Sequence, residues 1–283
     1  MASYCEQYYN PPGIHPSEPN YIWMEAGTNF GVFNNSDPTV NHFSTTNHLT
    51  ALLDGAGVTW KSYQEDISGT YVPLGSTNRY APKHNPMVFF DDVTGTNNPA
   101  FPYGIAHIRP YSELATDLAN NTVPRYCFIT PNLCNDGHDP CPPQNDRIRQ
   151  GDDWLAAEIP KIMNSAAYRN YGAIFIVWDE GLGSDGPIGM IVISRLARGG
   201  GPDVDRGAGG IEHDLTQRSQ GKTHSGIERA QGRRALAHRF QQGFQRLGHG
   251  SKVLVCRGPV AALSGSDRGL TGTQLYVYVN SVT

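Results

Sequence analysis

This chain has no apolar run long enough to cross a bilayer. Its 22 Lys and Arg nearly balance 26 Asp and Glu, a formal charge of −4, so it lacks the basic excess of a nucleic-acid or membrane-surface binder. The first residues, Met1 to Pro12, contain neither a basic segment nor an apolar one and do not read as a secretory signal. Cysteine is scarce, with five in 283 residues. Cys127 lies in an apolar run and reads as a core residue. Cys134 and Cys141 flank a loop and would form a disulfide in an exported protein. With His138 between them they also raise zinc, but the spacing fits no common zinc module.

What the chain does have is a strong apolar strand, Ala173-Ile-Phe-Ile-Val-Trp178, running straight into Asp179, Glu180 and Gly181. Its length and composition predict a strand buried on both faces of a parallel sheet. Strands also read at Val58–Tyr63, Arg125–Thr130 and Ile188–Ser194, and helices at Thr45–Gly57, Tyr111–Asn120 and Asp152–Met163, the last with Pro160 as an expected kink or break. Helices alternating with apolar strands predict an α/β fold around a largely parallel sheet. Ser68–Asn98, rich in Gly, Asn and Pro, reads as an insertion or lid on the active side, with Lys83-His-Asn85 as an anion contact or plain surface.

In such a sheet ligands bind beyond the carboxyl ends of the strands. Asp179 and Glu180 stand there, as hard oxygen donors for a divalent cation or as a solvated turn. Ser17, followed by Glu18 and Pro19, opens a helix. It is either a simple cap or an attacking oxygen beside free backbone N–H groups. Glu65-Asp66 and Asn135-Asp-Gly-His138 also fall at junctions between elements. A serine, a histidine and two carboxylates on one rim describe metal-assisted transfer through a covalent serine intermediate.

Six stretches in order carry a resemblance: His15-Pro-Ser-Glu-Pro-Asn-Tyr21, Gly57–Asp66, Lys83-His-Asn-Pro86, Thr130–Asp139, Gly151-Asp-Asp-Trp-Leu155 and Trp178-Asp-Glu-Gly181. Over residues 1–200 the chain resembles the phosphoesterase family of bacterial acid phosphatases and phospholipases C. The resemblance implies an alkaline-phosphatase-like α/β fold, a mostly parallel sheet with helices on both faces. It implies a metal-dependent phosphoric ester hydrolase acting through a phosphoserine, with a small phosphate ester or a phospholipid head group as substrate. Ser17 would be the nucleophile, Asn20 a donor to the phosphoryl oxygens, and His15 and His138 the oxygen-stabilising or leaving-group residues. Asp179 and Glu180 would bind a divalent metal ion.

Two departures stand out. Family members begin with a strand ending in Glu-Asn that completes the metal site, and this chain reads as starting after it, so the first strand is expected to be missing. The likeness also stops near Gly199-Gly-Gly201. Residues 201–283 hold 11 Lys and Arg against 6 Asp and Glu, whereas residues 1–200 hold 11 against 20. Phe240, Phe244, Tyr276 and Tyr278 are the only aromatics in that tail. It reads as a shifted reading frame or a disordered basic segment, in which Leu236, Phe240, Phe244 and Leu247 could line a helix. The competing functional reading is a catalytically dead fragment that keeps a phosphate-ligand-binding fold. A metal-free serine hydrolase is disfavoured because Ser17 lacks a glycine-flanked elbow, and a glycosidase because adjacent acids rarely face each other.

Overall fold

The computed structural model describes residues 2–181 and 185–197 and the backbone of Leu275–Asn280. The basic helix read at residues 236–247 lies outside them. In chain order the elements are β1 (Ala2–Cys5), α1 (Ser17–Ala26), α2 (Leu49–Gly55), β2 (Trp60–Gln64), α3 (Asp91–Thr94), α4 (Pro102–His107), β3 (Ile108–Pro110), α5 (Ser112–Asn120), β4 (Tyr126–Thr130), α6 (Arg147–Met163), α7 (Ala166–Arg169), β5 (Ala173–Trp178), β6 (Met190–Ser194) and β7 (Leu275–Asn280). The strands form a seven-stranded sheet in the order β1-β6-β5-β7-β4-β2-β3.

Pairing is parallel from β3 through β2, β4 and β7 to β5, and antiparallel from β5 to β6 and from β6 to β1. The Ile188–Ser194 strand of the sequence reading is therefore present but reversed. The connection from Trp178 to Met190 is short for a parallel crossover, so the chain turns back beside β5. β1 then covers that edge with the register Ala2↔Ile193 to Cys5↔Met190. β7 lies in the middle, parallel to both β4 and β5, with Asn280 opposite Trp178.

Strand alternation sorts the side chains onto two faces. Cys127, Ile129, Ile174 and Ile176 pack with Leu114 of α5, Trp154, Leu155, Ile159 and Ile162 of α6, and Tyr168 of α7. Tyr126, Phe128 and Val177 pack on the other face with Tyr21 and Ile22 of α1 and with the run Met87-Val-Phe-Phe90. That run corrects the lid reading of Ser68–Asn98. Met87, Val88, Phe89 and Phe90 are all fully buried, in a 3-10 turn at Pro86–Phe89 and just beyond it. The polar majority of the segment masked an apolar tetrapeptide that the second core requires. Pro160 breaks nothing. α6 runs on through it to Met163 without the bond that an N–H at position 160 would make to the Ala156 carbonyl, and the Pro160 carbonyl still accepts from Asn164 N–H.

One buried polar knot ties three helices on the second face. His48, at the N-cap position of α2, sets Nδ1 2.9 Å from Glu25 Oε1 of α1 and Nε2 3.1 Å from both Asp92 carboxylate oxygens of α3. Thr50 N–H and Oγ1 also donate to Glu25 Oε1. Burial pulls the His48 imidazolium down, but the bonds to Asp92 and Glu25 outweigh it and hold its pKa at about 9. A folded pKa raised above 6.5 adds stability that is complete below pH 6.5 and lost as pH rises through 9. Its size is on the order of 2–3 kcal/mol, discounted because the Asp92 carboxylate is one-third exposed. Chemical denaturation at pH 6 and pH 9.5 should show that loss, and His48→Gln should narrow it. An equal pH difference in the variant would remove His48 as the cause.

Candidate active site

The site begins where β5 ends. Trp178 closes the strand, and Asp179 and Glu180 follow, 1% and 7% exposed. Against them comes the start of α1. Pro16 occupies its N-cap position and no side chain caps it, so Ser17 is the first helical residue and is not a capping serine. The fully buried Ser17 hydroxyl donates to Glu180 Oε1 at 3.3 Å. His15 Nδ1 lies 2.6 Å from Glu180 Oε2, and its Nε2 lies 2.9 Å from Asp185 Oδ1. Gly13 N–H donates to the same Asp185 oxygen. The bond to Glu180 raises the His15 pKa, partial burial opposes this, and Asp185 adds to the rise. Asp185 is in turn held low by Gly13 N–H and His15.

Asn20 is on the same turn of α1, but its amide is engaged in holding the loop. Asn20 Nδ2 donates to Ile14 O at 2.8 Å and to Pro16 O at 3.3 Å, while its Oδ1 accepts from Asn10 Nδ2. It thereby fixes the His15–Ser17 bend from beneath. Tyr21, one residue on, is fully buried, and its hydroxyl has no hydrogen-bond partner among the described residues. Burial, then the carboxylates of Asp179, Asp136 and Glu180, push its pKa well above the ordinary phenol value.

Tyr21 links this cluster to a second one. Its ring stacks on His84 with centroids 5.0 Å apart, and His84 meets His138 edge-on at 5.4 Å. His138 Nδ1 lies 2.7 Å from Asp139 Oδ1, and its Nε2 is 3.0 Å from Lys83 Nζ. Lys83 can only donate, so Nε2 accepts there and Nδ1 carries the proton toward Asp139. Asp136 accepts from His138 N–H and sets Oδ2 3.0 Å from His84 Nδ1. Burial pushes Asp136 up and His84 down, the latter helped by Lys83 and His138, so both favour their uncharged forms. His84 Nε2 is buried without a hydrogen-bond partner among the described residues.

Of the residues singled out from the sequence, Ser17 and His15 each hydrogen-bond Glu180, Asp179 adjoins it in sequence, and Asn20 braces the loop. His138 stands in the neighbouring cluster across Tyr21 and His84. Tyr21 and Asp185 were not singled out, and His84 and Asn85, read with Lys83 as an anion contact or plain surface, are buried. Glu65 of the rim supports the loop and does not join either cluster. Its Oε2 accepts from Asn132 N–H and Asn135 Nδ2, and its Oε1 from Trp154 Nε1. Cys134 and Cys141 form a disulfide, which removes both thiolates as zinc ligands.

For a divalent metal, Asp179 and Glu180 have the right hard-oxygen chemistry. Among the described residues, however, no group of three or more His, Cys, Asp and Glu is arranged to hold an ion. Alone they would make only part of a donor set.

Comparison with known proteins gives the family of the chain. The model of the phosphoesterase family matches residues 3–186, and the chain belongs to that family. It is 32% identical over 178 residues to an acid phosphatase of Aspergillus fumigatus, covering 59% of this chain and 36% of that protein. It is 30% identical over 172 residues to a phosphate-repressible acid phosphatase of Penicillium chrysogenum, covering 59% and 39%. It is 34% identical over 170 residues to a phosphatidylinositol-3-phosphatase of Mycobacterium tuberculosis, covering 60% and 50%. The match spans half or less of the length of each of these relatives.

Proposed function

We propose that this chain hydrolyses phosphoric esters through a phosphoserine on Ser17, on an alkaline-phosphatase-like sheet. The observation that carries the reading is the hydrogen bond from the Ser17 hydroxyl to the Glu180 carboxylate, made at the first residue of a helix. Family membership and the named acid phosphatase relatives support the reaction class. Ser17 Oγ would attack phosphorus, the ester oxygen would leave with a proton, and water would then release phosphate from the serine. Glu180, steadied by His15 on its other oxygen, orients the hydroxyl and can receive its proton. Oxygens of the bound phosphoryl group would meet the N-terminal end of α1 and the Lys83 ammonium. His138 is the candidate for steadying the oxygens or the leaving group. A divalent ion on Asp179 and Glu180 would supply charge neutralisation at the phosphoryl oxygens.

The substrate is either a phosphomonoester or a phospholipid head group. The test is turnover of a chromogenic phosphomonoester and of a short-chain phosphatidylinositol phosphate by the purified chain, before and after chelation. Turnover that falls at least about 100-fold on chelation and returns with added divalent cation supports the full reading. Turnover indifferent to chelation removes the metal. Phosphate binding by a folded chain without turnover of either ester favours the reading as a catalytically dead fragment that keeps its ligand site.

A further inference from the structure

His138 and Asp136 sit on a long stretch, from the end of β4 at Thr130 to the start of α6 at Arg147, that contains no helix or strand. A side chain on such a stretch holds its place only through tethers. The stretch is first closed on itself. The Cys134–Cys141 disulfide makes a small ring, Asp139 N–H donates to Leu133 O at 2.7 Å, and Asn132 Oδ1 accepts from Cys134 and Asn135 N–H. These bonds shape the ring but do not orient it against the sheet.

Gln150, on the first turns of α6 and buried, reaches both ends of the ring. Its Nε2 donates to Cys134 O at 2.6 Å and to Asp139 O at 3.2 Å, and its Oε1 accepts from Cys141 N–H at 2.9 Å. One side chain thus satisfies three backbone groups on the two sides of the ring that flank His138. A second, independent feature lies next to it. A Cβ on Gly151 would stand 3.3 Å from Asn135 O, so the absence of a side chain there lets α6 lie directly against the ring backbone. Glu65 holds the other foot of the ring through Asn132 and Asn135.

We propose that Gln150 is a positioning residue for the phosphate site, fixing the Cys134–Cys141 ring on α6 so that His138 stands against Lys83 and His84. The proposal rests on the role given to His138 under the proposed function. Gln150 touches no reacting atom and acts through the ring. Displacing a group that works in the transition state by about 1 Å can cost about 100-fold in rate while leaving ground-state binding nearly intact.

The test compares Gln150→Ala and Gln150→Glu with the parent chain. The second variant keeps an acceptor for Cys141 N–H but turns a carboxylate oxygen toward two carbonyl oxygens. Both should lower kcat by about 10- to 100-fold with KM changed less than about threefold, per mole of folded protein. In 15N-histidine-labelled chain, the His138 ring signals should move in both variants while those of His48 stay. That measurement reads the tether whether or not the chain turns over. Unchanged His138 signals in a folded variant overturn the proposal, as does a variant that only melts earlier with parental kcat. Failure of the serine reading shows up separately, as turnover that survives Ser17→Ala.

Discussion

Ser17→Ala is expected to reduce turnover of any phosphate ester by at least about 1,000-fold, because removal of a nucleophile leaves only the binding and electrostatic contributions of the site. The substitution should be structurally mild. Ser17 is fully buried, and the variant loses the 3.3 Å hydrogen bond from its hydroxyl to the charged Glu180 Oε1. Such a loss costs about 1–3 kcal/mol. Glu180 retains His15 on its other oxygen, and helix α1 loses no cap, since Ser17 does not cap it. The expected variant is therefore folded and inert. Acid-quenched parent chain incubated with substrate should carry phosphate on Ser17, located by peptide mass analysis, and the variant should carry none. A variant retaining more than about a tenth of parental turnover would move the nucleophile elsewhere. Phosphate found on another residue would do the same.

The sequence disclosed the site better than it disclosed the support around the site. The apolar run Ala173–Trp178 ending in Asp179 and Glu180 predicted its own burial, its strand character and the location of its acids, because all of these are local consequences of composition. The start of helix α1 at Ser17 was legible for the same reason. The loop bearing His138 could be placed at the end of β4. Its attachment could not, since Gln150 and Glu65 lie in other elements and a buried glutamine leaves no periodic mark. His48 illustrates the same limit. Its partners Glu25 and Asp92 are 23 and 44 residues away, and only the packing of three helices reveals them. The reversed direction of β6 was not legible because strand composition does not encode direction, and the four-residue edge strand β1 is too short to leave a periodic mark. The buried Met87–Phe90 run was visible as letters but was outvoted by the polar residues around it.

A chain ending at residue 197 is expected to lose cooperative folding altogether. β4 and β5 are the most deeply buried strands on the two sides of β7, and neither pairs with the other. β7 bonds to both, with Tyr126↔Leu275 through Ile129↔Tyr278 on one side and Ala173↔Leu275 through Trp178↔Asn280 on the other. Removing it leaves backbone N–H and C=O groups on two interior strand edges without partners. Each buried orphan costs about 1–3 kcal/mol, and several together exceed the roughly 5–15 kcal/mol of an ordinary domain. The edges would also be open to pairing between molecules. Circular dichroism melts and size-exclusion chromatography of the 197-residue form should show no sharp transition and a shift to aggregates. A peptide spanning Leu275–Asn280, added in excess, should recover part of the transition by inserting as a strand. A truncated chain that stays monomeric and melts with the parental midpoint would show that the sheet closes without Leu275–Asn280. In that case the chain up to residue 197, the family-matched residues 3–186 together with β6, would be self-sufficient. If instead the transition is lost, the stretch that differs most in charge from the rest of the chain supplies its central strand.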